Sequence, residues 1–335
     1  MKKLHVISKQ NVKYLYIALI AISLILLIVS LGIGFYRFGI RDVFETIFGF
    51  SDDPNGWTVL GIRFPRIIAA YLIGAALSVS GAAYQGVLKN PLVSPDILGV
   101  ASGAGMGAAI AIMLRLSAVY IQIFAFISGM LAVIFTYFFA KRVLFDRRVS
   151  LILSGVLVGS LAFSVTSLLK YLADTSTQLP EITYWLMGSL SKVDMGSLLF
   201  SLPFMAAGFI ILFLMSWRIN VLTLDDIEAV SLGVNTKSSM RAVILGATLL
   251  SSASVCLGGL IGWVGLMIPH ISRAIIGPQY TKLLPVSAML GGVFMLLMDD
   301  LVRSLFVIEV PIGLAVAFIG APFFFALIRK GRRNA

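Results

Sequence analysis

The chain is poor in charged residues, cysteine and histidine, and each shortage excludes a class of protein. Only 12% of its 335 residues are charged, about half the share of a typical soluble domain, so the chain is not an ordinary soluble protein. A single cysteine, Cys256, excludes an intramolecular disulfide. The two histidines, His5 and His270, lie in separate parts of the sequence, which leaves no histidine cluster for a metal.

Nucleotide-binding and catalytic motifs are missing as well. The sequence contains neither the Gly-x-x-x-x-Gly-Lys-Ser/Thr loop that cradles phosphates nor the Gly-x-Ser-x-Gly elbow of many hydrolases. A membrane-embedded enzyme would need a polar cluster within its apolar segments, where this sequence has only scattered serine and threonine. We therefore expect no cofactor or metal bound by this chain and a role other than that of an enzyme.

Long apolar segments are what the chain does have. Residues of the set AVILMFWYC make up 59% of it, and a spanning helix needs about 20 of them. This predicts one all-α polytopic membrane domain over residues 1–335, with about ten spans. The first run is longer than the apolar part of a signal peptide, so we expect it to be a retained helix. Nine runs are clear: 14–36, 67–88, 97–114, 118–140, 149–169, 196–216, 241–256, 284–302 and 310–328.

The distribution of charge predicts the orientation and a tenth span. Lys+Arg number 26 against 15 Asp+Glu, an excess that the positive-inside rule explains without nucleic acid as a partner. Basic residues gather at both termini, which places both in the cytoplasm and requires an even number of crossings. The tenth crossing is predicted at 257–269, a short glycine-rich segment ending at Pro269. A broken span of this kind must be buried between helices or line a pathway.

Similarity between two segments of the chain favours an inverted five-helix repeat. "GAALSVSGAA" from Gly74 and "GATLLSSASV" from Gly246 are similar and lie five predicted helices apart, an offset that inverts the second copy, as in many transporters. Glycine and serine at intervals of three to five residues in the second and third helices predict close helix packing. These small residues are Gly74, Ser78, Gly81, Gly86, Gly99, Gly103 and Gly107.

Few carboxylates are available to couple transport to an ion gradient. The candidates are Asp299 and Asp300 near the end of the ninth span, and Asp299 lies four residues before Arg303. This spacing favours an ion pair on one helix face over a coupling site. A self-sufficient ion-coupled transporter remains the alternative function.

Two surfaces indicate partners on opposite sides of the membrane. In the predicted cytoplasmic segment 223–235, Leu224, Ile227 and Val230 recur at helical spacing beside acidic residues, and Gly233 supplies a stop. This pattern favours an element that docks a soluble partner, with an ordinary interfacial connector as the other interpretation. Three arginines, which are Arg63, Arg66 and Arg303, are predicted outside. There they would suit an acidic partner, although single outer arginines are common.

Seven sequence blocks follow one another from about residue 60 to the C-terminus: "RFPR" (63–66), "GAALSVSGAAYQGVLKNPLVSPDILGVASGAG" (74–105), "YWLMGSL" (184–190), "SLGV" (231–234), "GWVGLMIPHISR" (262–273), "DDLVR" (299–303) and "EVPIGLAVAFIGAPFFFALI" (309–328). In this order they resemble the FecCD family, the permease subunits of ATP-driven importers for iron siderophores, haem, cobalamin and related metal chelates. The resemblance implies a multi-pass protein of a prokaryotic cell membrane, surrounded by lipid. It also implies a second permease copy (a homodimer, or alternatively a heterodimer), two cytoplasmic ATPase subunits that use ATP, and an external substrate-binding protein. Ferric siderophore is the expected cargo, with haem, cobalamin and molybdate as alternatives.

The resemblance also implies roles for three groups of residues. Arg63, Arg66 and Arg303 match arginines that dock the binding protein. The segment 223–235 matches the ATPase-coupling helices, although Asp225 and Val230 stand where the family usually has glycine and arginine. The turn 146–150 matches the inner gate region, but only in location, because Arg147 and Arg148 replace small hydroxyl residues. These arginines would suit charge-lined gating of an anionic substrate, and the positive-inside rule explains them equally well. The coupling residues are Leu224, Asp225, Asp226, Ile227, Glu228, Ser231, Leu232 and Gly233, and the gate residues are Arg147, Arg148, Val149 and Ser150.

Overall fold

The fold is a bundle of α-helices. A computed structural model describes residues 9–34, 45, 54–143, 146–305 and 310–332. Within these ranges the chain forms twelve α-helices and one 3-10 turn, Pro95–Leu98. The helices are α1 Lys9–Gly32, α2 Pro54–Val87, α3 Val100–Met113, α4 Ala118–Ala140, α5 Arg147–Leu172, α6 Gln178–Leu186, α7 Met195–Leu222, α8 Asp226–Ser231, α9 Thr236–Gly258, α10 Val264–Ile276, α11 Tyr280–Leu305 and α12 Ile312–Arg332.

Ten of these helices correspond to the ten predicted spans. Seven are long and apolar enough to cross a membrane, and three shorter apolar helices, α3, α10 and α12, supply the rest. The all-α polytopic architecture is therefore confirmed. We name the two ends of the bundle after the short helices that lie there. The α8 end holds the C-termini of α2 and α7 and the N-termini of α5 and α9, and the α6 end holds the opposite termini.

Helices α2 and α9 form the centre of the bundle. More than three quarters of the apolar window in each is buried, 83% and 78% respectively. Ser80 Oγ lies 2.9 Å from the carbonyl oxygen of Ala247 and 2.6 Å from Ser251 Oγ, and the Tyr84 hydroxyl lies 2.8 Å from Thr248 Oγ1. Because hydroxyls in an apolar interior need partners, these contacts fix how the two helices pack.

The same contacts agree with the predicted inverted repeat. The segments that begin at Gly74 and Gly246 run antiparallel, since Ser80 meets Ser251 while Tyr84 meets the earlier Thr248. Antiparallel packing is what an inverted repeat requires of these two segments, and the repeat itself stays a prediction. The predicted close packing is also present. A Cβ at Gly81 would overlap the carbonyl of Gly265.

The predicted broken span is present, but its limits differ. Helix α9 ends at Gly258, residues 259–263 are not helical, and α10 runs from Val264 to Ile276. The break is packed inside the bundle, where the Gly258 carbonyl accepts from the Ser189 amide at 2.9 Å. The prediction that the span ends at Pro269 is wrong. A proline removes only one helical hydrogen bond, and the helix is buried before it at Met267 and Ile268 and after it at Ser272.

Two other predicted boundaries are wrong in a way that matters for the candidate sites. Helix α2 begins at Pro54 and not at 67, so Arg63 and Arg66 lie within a helix and not in the loop before it. Helix α11 continues to Leu305, so Arg303 is helical as well. Apolar length alone does not show this because arginines with partners can extend a helix beyond its apolar part.

Candidate coupling, gate and docking sites

The segment predicted to couple to a partner contains a helix shorter than expected. Helix α8 covers Asp226–Ser231, and Thr223 belongs to the end of α7. The predicted stop at Gly233 is confirmed, since this glycine has φ +77° and its amide donates to the Val230 carbonyl at 2.9 Å. A left-handed residue of this kind ends a helix with little strain only when it is glycine. We call residues 223–235 the α8 segment.

The apolar side chains of the α8 segment point away from the bundle. Ile227 is 86% exposed and Val230 is 62% exposed, whereas Ala229 is buried and packs with Val221 and Val234. Leu224 and Leu232 are exposed too, so the apolar residues form an outward surface beside Asp225, Asp226 and Glu228. Exposed apolar side chains gathered at one place mark an interaction surface.

Two basic residues hold the α8 segment against the bundle. Lys89, in the loop after α2, donates from Nζ to the Leu224 carbonyl at 2.5 Å. Arg148, in the first turn of α5, places Nη2 2.7 Å from Asp226 Oδ1 and donates from Nε to the Val87 carbonyl at 3.1 Å. The segment is thereby tied to both α2 and α5.

The charges around Asp226 keep its carboxylate ionised. The hydrogen bond from Arg148 is the largest effect and lowers the pKa of Asp226; burial opposes it, and the positive charges of Arg148, Lys89 and Arg147 lower the pKa further. The contact between the α8 segment and α5 is therefore an ion pair at neutral pH.

The predicted gate region forms the first turn of α5. Asp146 caps this helix by accepting from the Arg148 amide at 2.9 Å. Arg147 donates to the Tyr137 hydroxyl of α4 at 2.8 Å, Val149 is 45% exposed, and Ser150 is buried. Both arginines are thus engaged by protein groups, which favours a structural role for them over a charged gate. The link from Arg148 to Asp226 was not predicted, although two opposite charges in loops predicted on the same side were a signal.

The three arginines predicted to dock a binding protein meet at the α6 end. Arg66 places Nε and Nη2 2.9 and 2.8 Å from Asp299 Oδ1, and Arg303 Nε lies 2.9 Å from Asp299 Oδ2. Arg303 also contacts Asp300, which accepts from Ser30 Oγ at 2.5 Å. The predicted ion pair between Asp299 and Arg303 is therefore confirmed.

The same arginines hold the C-terminus of α1. Arg63 Nη1 donates to the Leu31 carbonyl at 2.9 Å, and Arg303 Nη1 donates to the Ile33 carbonyl at 3.1 Å. The last carbonyls of a helix lack partners within it and carry partial negative charge, so guanidinium groups stabilise them. Arg63 is 8% exposed. The cluster is thus mostly internal, and its role in docking stays a prediction.

A polar cleft beside α5 was not predicted. It has a volume of about 470 Å³ and lies between α5 and the 3-10 turn. Asp96 and four serines, Ser94, Ser102, Ser160 and Ser164, supply its polar groups. The sequence did signal it, since Asp96 stands between two apolar runs. Polar side chains at this depth face water or protein and not lipid, so the cleft is a candidate part of a pathway.

These features define a multi-pass membrane permease with a partner surface at the α8 end and a polar cleft along one helix. The profile of the FecCD transport family matches residues 21–330. The chain therefore belongs to the FecCD transport family and is a permease of the ABC importer type.

Individual relatives cover nearly the whole chain. The molybdate import system permease protein MolB of Haemophilus influenzae is 38% identical over 317 residues, which is 92% of this chain and 93% of the relative. A probable iron chelatin transport system permease protein of Helicobacter pylori is 38% identical over 274 residues, 82% of this chain and 83% of the relative. A solved chain described as an inward-facing ABC transporter of the metal-chelate type has a TM-score of 0.86 at 35% identity, covering 95% of this chain and 99% of that one.

Proposed function

We propose that the chain is the permease subunit of an importer that carries a ferric siderophore across a prokaryotic cell membrane. A binding protein delivers the cargo to the α6 end, and two ATPase subunits bind the α8 end, which faces the cytoplasm together with both termini. A second copy of the chain completes the pathway. ATP is hydrolysed in the partners, and this chain contributes binding surfaces and the pathway.

The observation that carries this proposal is the ion pair between Arg148 and Asp226. It connects the exposed α8 segment, which suits a soluble partner, with the first turn of α5. The same helix borders the polar cleft farther along, from Gly155 to Ser164. A displacement of the α8 segment by nucleotide-driven movement of the ATPases would therefore act on α5 directly. Repeated displacement opens the cleft to one side and then to the other, which is alternating access.

The choice of cargo is supported by the relatives. One is named for iron chelatin and another for molybdate, at the same 38% identity, so the identity alone does not separate a ferric chelate from an oxyanion. Haem and cobalamin stay open as cargo as well. The cleft carries the Asp96 carboxylate, and its negative charge favours a chelate that is cationic or offers hydrogen-bond donors over an anion.

The ion-coupled alternative needs an unpaired carboxylate in the membrane. Asp299 and Asp300 are paired with arginines, which leaves Asp96 among the described carboxylates within the spans. Asp96 could therefore serve as the ion-coupling carboxylate, and an experiment has to separate the two functions.

Uptake in proteoliposomes separates the two functions. Vesicles that contain the permease, its ATPase and ATP, supplied with binding protein and a radiolabelled ferric siderophore, should accumulate iron. Vesicles with an ATPase that lacks the lysine of its phosphate-binding loop should not. Accumulation by the permease alone under an imposed proton or sodium gradient would overturn the proposal and establish the ion-coupled function.

A further inference from the structure

We propose that Asp96 selects cargo by charge within the pathway, favouring cationic or donor-rich metal chelates and disfavouring oxyanions. The inference rests on the proposed function, because it assigns a specificity role to one residue of the cleft beside α5. It concerns the permease itself and is separate from any selection by a binding protein.

Asp96 lies inside the bundle, well away from its α8 end. It belongs to the 3-10 turn Pro95–Leu98, which ends at Gly99 with φ +84° and packs against the side of α5. A Cβ at Gly155 would overlap the carbonyl of Ile97, the residue after Asp96. Gly155 is eight residues into α5, about 12 Å along its axis. The carboxylate therefore lies at the depth of the membrane interior, where water reaches it only if the cleft contains water.

The carboxylate of Asp96 has no internal counter-charge. No hydrogen bond or ion pair joins it to a side chain in the described parts of the molecule. The basic groups at the α8 end are engaged elsewhere, with Lys89 directed to Leu224 and Arg148 to Asp226 and Val87. A charge at this depth is costly unless water or a ligand solvates it, so the cleft must admit one or both.

One of the four serines of the cleft, Ser164, matches the character of this carboxylate. Ser164 donates its hydroxyl hydrogen to the Ser160 carbonyl at 2.9 Å within α5, so its oxygen presents lone pairs to the cleft. Acceptor oxygens beside a carboxylate complement ammonium, amide and hydroxyl groups and repel an oxyanion. The volume of about 470 Å³ is in the range of small-ligand sites.

Thiol labelling tests the charge effect without knowledge of the cargo. Cys256 is buried and is the single cysteine of the chain, so Cys256→Ser provides a background for Ser160→Cys. The rates of reaction with cationic and anionic methanethiosulfonates of similar size are measured with and without Asp96→Asn. We expect the cationic-to-anionic rate ratio to fall about fivefold in the Asp96→Asn variant.

The matched control places the cysteine outside the cleft. At Ser176→Cys, which is exposed near the α6 end, Asp96→Asn should leave the ratio unchanged. An equal fall at both positions would show a general effect of the substitution and would overturn the proposal. No reaction at Ser160→Cys, or an unchanged ratio there, would overturn it as well, because the cleft would then be dry or indifferent to the charge.

Transport by the reconstituted importer tests the consequence. The probes are a ferric trihydroxamate with a free amine and the same chelate with the amine acetylated, which differ by one positive charge. Asp96→Asn should lower the cationic-to-neutral uptake ratio several-fold, and Glu181→Gln, a carboxylate at the α6 end, should not. The wild-type permease and each variant receive cargo from the same binding protein. Any preference of the binding protein therefore affects their uptake ratios equally and does not change the comparison.

The two measurements separate failure of the inference from failure of the proposed function. If the wild-type importer takes up neither chelate, the proposed cargo is wrong, while the labelling result still reports on Asp96. If uptake is normal and the ratio is the same with and without Asp96→Asn, the charge selection is wrong and the importer function stands.

Discussion

Arg148 Nη2 lies 2.7 Å from Asp226 Oδ1, and this ion pair joins the α8 segment to the first turn of α5. Asp226 is 64% exposed whereas Arg148 is 15% exposed, so the pair has one side in solvent and one in the bundle. A pair of this kind adds little to stability, about 1 kcal/mol or less. In the proposed function its value is positional, because it would transmit displacement of the α8 segment to a helix that borders the cleft.

Reversing the charge of either Arg148 or Asp226 should impair coupled uptake, whereas reversing both charges together should preserve it. Arg148→Asp and Asp226→Arg each place like charges together, and we expect uptake per ATP hydrolysed to fall about fivefold in each. The double variant restores attraction and should recover most of the uptake. Coupled uptake and ATPase activity in proteoliposomes measure this. A double variant no better than the worse single one would show that the pair does not transmit the movement.

The lowered pKa of Asp226 predicts how the pair responds to acid. A carboxylate with a lowered folded-state pKa contributes stability that is complete above the unfolded value, about 3.9, and is lost as the pH falls through the folded value. The Tm difference between wild type and Asp226→Asn should therefore be constant from about pH 7 to pH 5 and shrink only below about pH 4. Asp225→Asn, at an exposed carboxylate 3.9 Å from Lys89 Nζ, serves as the control. A difference that vanishes between pH 6 and pH 5 would contradict the pairing.

Apolar length predicted the number and order of the spans because the cost of unsatisfied backbone groups in lipid leaves few alternatives to a helix. It did not predict where helices with charged ends begin. Arg63 and Arg66 lie inside α2 because groups distant in sequence, the Leu31 carbonyl and the Asp299 carboxylate, accept hydrogen bonds from them. The pairing of Asp299 with Arg303 was predictable because it is local. The contact of Arg148 with Asp226 and the position of Asp96 beside α5 depend on how helices pack, which spacing along the chain does not encode.

Ile227→Asp should remove the ATPase from the permease. Ile227 is 86% exposed at the centre of the α8 segment, so a charge there leaves the fold intact and places an unpaired carboxylate in an apolar contact. We expect the ATPase to be lost in co-purification. Leu114→Asp, the same kind of change at an exposed residue of the α6 end, should retain it. Retention by both variants would show that the α8 segment does not bind the ATPase.

Cysteine labelling from each side tests the orientation. With a membrane-impermeant reagent on right-side-out vesicles, position 178 at the start of α6 should react, and Asp225→Cys should react only after the vesicles are opened. Position 145 is predicted to react from the cytoplasm as well, and it lies outside the described residues. The opposite pattern would place the α8 segment outside the cell and exclude ATPase coupling there.

The arginine cluster gives separate predictions for stability and docking. Arg303→Gln removes one partner of Asp299, a fully buried carboxylate, and breaking a buried pair costs about 3–5 kcal/mol. The Tm of the solubilised permease should fall clearly, whereas Arg115→Gln, at an exposed arginine, should change it little. If Arg303→Gln leaves the Tm unchanged, the cluster is not structural.

Docking is then tested at Arg63, whose charge reversal should weaken capture of the binding protein, and more so at low salt, because the attraction to acidic partners is screened. Capture is compared at matched amounts of folded permease, so that a loss of stability is not counted as a loss of docking. Arg115→Glu is the control reversal, at an exposed arginine of the same end that lies outside the cluster. Equal capture by wild type and the Arg63 variant at every salt concentration would leave the cluster with its structural role alone.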